Sequence, residues 1–236
     1  MKTRNKAFLT LLSMIFVAAA SVFATVAYLT DSETVTNTFT VGNVNITLDE
    51  ADVNVRGEAL DKDGNVTNVP EEIVRVKENT YHLIPGQTYR KDPMITVVKG
   101  SEESYLRMLV TINQIKDLKK ILGDDFLPEN YVTGWDPTAW QCVAAVSDTE
   151  KDTVTYEFRY KETVDASEAD EDVTVEPLFT HFTLPGEMNG EDLALIYSLT
   201  DAADRLEITI IGHAVQAAGF ADADAAWAAF EIQHKN

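Results

Sequence analysis

Runs of alternating apolar and polar residues, roughly six to ten long and closed by Gly or Pro, recur along this chain and leave it few folds. Tyr105-Leu106-Arg107-Met108-Leu109-Val110-Thr111-Ile112 is the most strand-like of them, and so apolar a run belongs in the centre of a sheet. Thr153 to Lys161 alternates cleanly, as a half-buried strand does, and Arg205 to Val215 is again strongly strand-like. Tyr89 to Val98 and Leu178 to Leu184 read as further strands, and the segment from Asp124 to Val146 reads as loop followed by strand. Pro85-Gly86, Pro185-Gly186 and the polar stretch Gly100 to Ser104 punctuate them. Helical period shows at three short places. Gln114 to Leu122 puts Ile115, Leu118 and Leu122 on one face, with Gly123 as a stop. Glu191 to Leu199 is the second, and Ala225 to Phe230, capped by Asp222 or Asp224, is the third. The pattern predicts a mainly β protein: an antiparallel β-sandwich with a few short helices, in one domain.

Ahead of these strands, Lys2, Arg4 and Lys6 precede an apolar run from Phe8 to Val26, with small residues around Ala24 and Ala27 at its end. This is the composition of an export segment. Residues 1–27 read as a signal peptide, helical and cleaved between Ala27 and Tyr28, with a site after Ala24 as the next choice. The mature domain would then be residues 28–236. An uncleaved membrane anchor is the alternative, since the run is nearly long enough to span a bilayer, though Thr10, Ser13, Ser21 and Thr25 dilute it. Within about a dozen residues of the new N-terminus begins another alternating stretch, Thr38 to Leu48, with Phe39, Val41, Val44, Ile46 and Leu48 apolar.

Charge narrows the partners. With 39 acidic residues against 19 basic ones, three of them in the export segment, nucleic acid would be repelled over most of the surface. An acidic exported protein stays soluble, and its surface would bind cations such as Ca2+ only loosely. Cys142 is the single cysteine, so no intramolecular disulfide forms; an exported protein without one suits a monoderm bacterium. The thiol itself is expected to be a small buried hydrophobe.

Signatures of chemistry are missing. His82, His181, His213 and His234 are scattered, without the pair of His one helical turn apart that holds zinc beside a Glu base. There is no Gly-rich phosphate loop and no G-x-S-x-G elbow, so the chain is not expected to be an enzyme or to carry a cofactor. Asp61-Lys62-Asp63-Gly64-Asn65 reads as a hairpin turn; as a calcium loop it would lack the distal bidentate Glu. Trp135 and Trp140 read either as caps on a sandwich core or as a ligand platform, and Asp165 to Glu176 as a solvated loop or weak cation site.

The junction SVFATVAYLTDSETVTNTFTVGNVNITLDE resembles the export signal of the TasA/camelysin family, in which a dedicated SipW-type signal peptidase cuts before an aromatic-containing run. Here that run is Tyr28-Leu29-Thr30-Asp31, followed by Asn37-Thr38-Phe39-Thr40-Val41-Gly42. Ile208 to Phe230 is similar to the closing strand and Ala-Trp helix of such proteins, and Leu83-Ile84-Pro85-Gly86 followed by Tyr105-Leu106-Arg107 fits the same pattern. The resemblance implies a jelly-roll-like sandwich at the cell surface or in the extracellular (biofilm) matrix. It further implies fibres in which the N-terminal strand of one subunit completes the sheet of the next, or of a related matrix protein. Contact with the membrane would be through the uncleaved signal alone. On that reading Phe39, Val41, Val44, Ile46 and Leu48 are the strand-exchange residues. The first alternative is an ordinary first strand within its own domain; the second is a monomeric surface binding or adhesion module. The metalloprotease activity described for camelysin has no motif here to carry it.

Overall fold

In the computed structural model, the described residues are 43–123, 132–196 and 205–234. The expected cleavage site at Ala27 and Tyr28, and the exchange residues Phe39 and Val41, lie outside them. The described residues belong to one compact unit, Gly42–Asn236. It is mainly β, with every strand pair antiparallel.

The largest sheet is built on β5 (Ser104–Asn113), the run that reads as central in the sequence. It lies between β11 (Ile208–Gln216) and β8 (Thr153–Tyr160), and β7 (Trp140–Asp148) forms the far edge. Alternation sorts the residues of β5: Leu106, Met108, Val110 and Ile112 are all buried on one face. Against that face packs a second sheet, in the order β2 (Arg75–Val76), β1 (Ile46–Ala51), β4 (Met94–Val97) and β9 (Val173–Thr174). Ile95 and Val97 of β4 are fully buried in the shared core, each such side chain contributing roughly 1.5–3 kcal/mol. Gly212 of β11 faces the second sheet, and its missing side chain leaves room for Ile95 and Leu48; a Cβ there would lie 3.4 Å from Ile95 and 3.6 Å from Leu48.

A third, small sheet runs β3 (Thr88–Arg90), β10 (His181–Thr183), β6 (Val132–Thr133). Tyr89 and Phe182 stack in it at 5.1 Å, with Tyr81 edge-on to both. The two Pro-Gly corners close this sheet together. Gly86 takes φ +77°, donates its N–H to the carbonyl of Leu184 at 2.9 Å and backs onto Gly186, whose missing side chain permits the approach.

The sequence expectation of one strand from Tyr89 to Val98 needs correction. Lys91-Asp92-Pro93 divides it, and β3 and β4 belong to different sheets. Pro93 has no N–H to offer a ladder, and Lys91 and Asp92 are drawn into ion pairs. Asp165 to Glu176 also differs from a purely solvated loop: it contains β9, and Ala166 and Val175 are buried.

The helices fall close to where their period places them. α1 (Ile115–Leu122) stops at Gly123, whose φ is +97° and whose N–H reaches the carbonyl of Lys119 at 2.8 Å. α2 is Gly190–Ile196, and α3 is Ala223–His234. Asp222 caps α3, accepting the Ala225 N–H at 2.9 Å, while Asp224 turns outward to Arg159. No helix among the described residues is long and apolar enough to cross a membrane.

Candidate functional site

β1 follows directly on the expected free N-terminal segment and carries two of the expected exchange residues, Ile46 and Leu48. It pairs antiparallel with β4, Ile46 opposite Val97, Thr47 opposite Thr96, Leu48 opposite Ile95 and Asp49 opposite Met94. Upstream, the Val98 N–H donates to the carbonyl of Asn45 at 2.9 Å and the Glu102 N–H to that of Asn43 at 3.0 Å. Ile46 and Leu48 turn inward onto the core and are half-buried there; Val44 is half-buried too. Two expected exchange residues, Ile46 and Leu48, thus belong to a strand that lies in its own sheet, and Val44 lies just ahead of it.

The two halves of β1 are held differently. On the side away from β4, its pairing with β2 covers Glu50 and Ala51 alone. That C-terminal end is fixed by charges taken out of water. Glu50, Lys91 and Asp92 are 5%, 7% and 2% exposed. Lys91 Nζ lies 2.6 Å from Glu50 Oε2, and Asn79 donates to Glu50 Oε1 at 2.9 Å and to the Ala51 carbonyl at 2.8 Å. Asp92 accepts the Ala51 N–H at 2.7 Å and binds Arg75 and Arg90 at 3.1 and 2.9 Å. Arg75 reaches on to Asp49 at 2.8 Å. Each buried carboxylate has its cation and at least one neutral donor, the condition under which a buried pair survives its desolvation cost. Burial, and then the carboxylates of Glu50 and Asp92, push the Tyr81 hydroxyl far above its ordinary range. His181, beside the same cluster, is pushed down by burial and by Arg90. Sequence reasoning missed this anchor. Its one trace was the pair Lys91-Asp92 interrupting an apolar run.

A second buried cation holds α3 against the outer face of the large sheet. Arg107 of β5 lies 4.4 Å from the Trp227 ring and 4.9 Å from the Phe230 ring, and bonds Glu231 at 2.7 Å. Its Nε donates to His213 Nδ1 at 3.2 Å, so the imidazole must present a bare nitrogen. Burial, then Arg107, lowers the affinity of His213 for a proton.

Trp135 and Trp140 do not form an exposed platform. Trp140 is 1% exposed and donates its indole N–H to the Glu176 carbonyl at 3.0 Å. Trp135 packs on Phe158 at 4.5 Å, and with Val110, Ile112, Tyr156 and Phe179 it lines an apolar pocket on the inner face of the large sheet.

Asp61 to Asn65 is a turn: Asp61 accepts the N–H groups of Asp63 and Asn65 at 2.9 and 2.8 Å, Gly64 has φ +79°, and the Asn65 backbone N–H above all holds the Asp61 carboxyl below its usual range. No group of metal-ligating residues occurs among the described residues.

Cys142 is exposed, contrary to its expected burial. With Ala145 and Ser147 it stands opposite Phe158, Tyr156 and Val154 of β8, on the core-facing side, yet all three are exposed. Past Trp140, the core stops short of β7. Comparison with family models, with curated proteins and with solved structures finds no match to this chain.

Proposed function

We propose that the chain is an exported, non-catalytic structural subunit of a bacterial extracellular matrix, similar to the TasA/camelysin family and built on a jelly-roll-like sandwich. A SipW-type peptidase would free it between Ala27 and Tyr28, and it would then self-associate by exchange of its N-terminal strand. The observation that carries this reading is the uneven hold on β1. Its C-terminal end is anchored by buried charge, while Asn43 to Leu48 is held without any ion pair, by β4 and the backbone of Val98 and Glu102 along one edge, by the Ser101 hydroxyl at Asn45 and by the inward turn of Ile46 and Leu48. An identical strand from a second copy restores the same hydrogen bonds and fills the same space, so exchange costs little in contacts. The hinge is Asp49, where the anchor begins. Tethering to the membrane before cleavage would keep the strand at home.

The test is made on mature protein from culture supernatant, with its N-terminus read by mass spectrometry and its size by light scattering. A start at Tyr28 with large, concentration-dependent particles is expected, and deletion of Tyr28 to Leu48 should abolish them. Particles that form unchanged without that segment would overturn the reading.

The apolar pocket around Trp135 favours a second reading, a monomeric surface module that binds an apolar group. It predicts a lasting monomer whose ligand binding is lost in Trp135→Ala.

A further inference from the structure

The long edge at β7 differs from every other sheet edge among the described residues. β2, β9 and β6 are two residues each and β3 is three, too short to template another strand. β11 is long, but most of its residues are half-buried, with β1 packed beside Gly212 and α3 against His213. β7 has nine residues, pairs with β8 on one side, and beyond the buried Trp140 is exposed on both faces through most of its length. Val143 and Val146 are 41% and 64% exposed, and Gln141 to Ser147 carries no charged side chain. Soluble proteins blunt such an edge with Lys, Pro or a bulge. β7 has the bulge, between Cys142 and Ala144, but Ala144 to Asp148 beyond it is regular.

Charge decides what fits there. The chain carries a formal net charge of −20, so two copies meeting at most surfaces would oppose carboxylates. The uncharged strip is the place where they need not. Antiparallel pairing of Ala144–Asp148 with itself, about a two-fold at Val146, sets Val146 opposite its own copy, Ala145 opposite Ser147 and Ala144 opposite Asp148. No like charges face each other. The Asp148 carboxylate is already engaged, accepting the N–H groups of Glu150 and Lys151 at 3.0 Å each.

We propose that β7 is a second self-association surface, which joins two copies of this chain edge to edge into one continuous sheet. It is independent of strand exchange at β4 and lies in the other large sheet; where exchange makes linear polymers, β7 ties them sideways. The contact is small, below the standard interface size, so it forms at high protein concentration or between copies already held in a polymer.

The experiment uses mature protein in which exchange is blocked by a disulfide between Thr47→Cys and Thr96→Cys, which stand opposite each other on β1 and β4, with Cys142→Ser. Sedimentation is followed at rising concentration. The apparent mass should approach twice the monomer, and adding Val146→Lys, which sets two cations face to face, should return it to one. In a separate Cys142→Ser background, Val146→Cys should give a covalent dimer on oxidation. A V146K protein that associates as its parent does, or a V146C protein that gives no covalent dimer, would overturn the proposal. So would cross-linking of V146C to a Phe39→Cys partner in preference to itself, which would make the N-terminal segment the occupant of this edge. Because the lock acts on β1 alone, failure of strand exchange leaves this result readable.

Discussion

β1 and β7 are built from the same material and treated in opposite ways. Each is part of a run without charge, Asn43 to Leu48 in one and Gln141 to Ser147 in the other, and each is laddered to one neighbour along most of its length. β1 nevertheless turns Ile46 and Leu48 onto the core and ends in a knot of buried ion pairs, whereas β7 leaves Val143 and Val146 in solvent. The difference lies outside both strands. β1 faces β11 across the core, and Arg75, Asn79 and Lys91 come from elsewhere to hold its end; the opposing sheet does not extend over β7. Alternation makes a strand, but residues distant in sequence decide whether it is covered.

The sharpest way to break this contrast is to remove the anchor. Lys91→Met leaves Glu50 buried without its cation and should cost about 3–5 kcal/mol in urea unfolding, while Lys91→Met with Glu50→Leu should recover most of that. A single-variant loss under about 1 kcal/mol would mean that β1 has no anchor. Next in size is Leu48→Ala, which opens space beside Ile95 and Gly212 and should cost about 2 kcal/mol in the same assay, the low end for a core truncation because Leu48 is half-buried.

A smaller effect sharpens the comparison within the large sheet, whose β5–β11 end is covered by α3 while its β7 end is bare. His213 takes a proton less readily folded than unfolded, so the neutral imidazole is the form that the fold favours. Stability is therefore fully present above the ordinary His range near 6.5 and falls as pH drops below it toward the lower folded pKa, where His213 must charge against Arg107. Glu157, Arg159, Glu231 and His234 complete the charged surroundings. His213→Gln should flatten the pH dependence of the melting temperature between about 7 and 5; an unchanged slope would place the sensitivity elsewhere. Smallest of all, Val146→Ala should change unfolding by no more than about 0.5 kcal/mol, because the side chain stands in solvent.

Much of the fold was legible because it is local. The period-two run at Tyr105 to Ile112 did become the centre of a sheet, and Gly123, Asp222 and the Pro-Gly corners did what their backbone preferences dictate. The anchor was not legible, since Glu50, Arg75, Asn79, Lys91 and Asp92 meet only after four segments have folded together. Nor was the exposure of Cys142: it alternates like a core residue, and its burial depended on how far the opposing sheet reaches. The burial of Arg107 on the outer face of β5 depended likewise on α3, more than a hundred residues downstream, supplying Trp227, Phe230 and Glu231.

The measurement that bears most directly on strand exchange is the size of mature Thr47→Cys/Thr96→Cys/Cys142→Ser protein, oxidised and then reduced, by light scattering. The disulfide ties β1 to its own β4 without touching the core face. Particles no larger than a dimer when oxidised, growing into polymers when the bond is reduced, are what exchange at β4 predicts. Polymers of the same size in both states would contradict it.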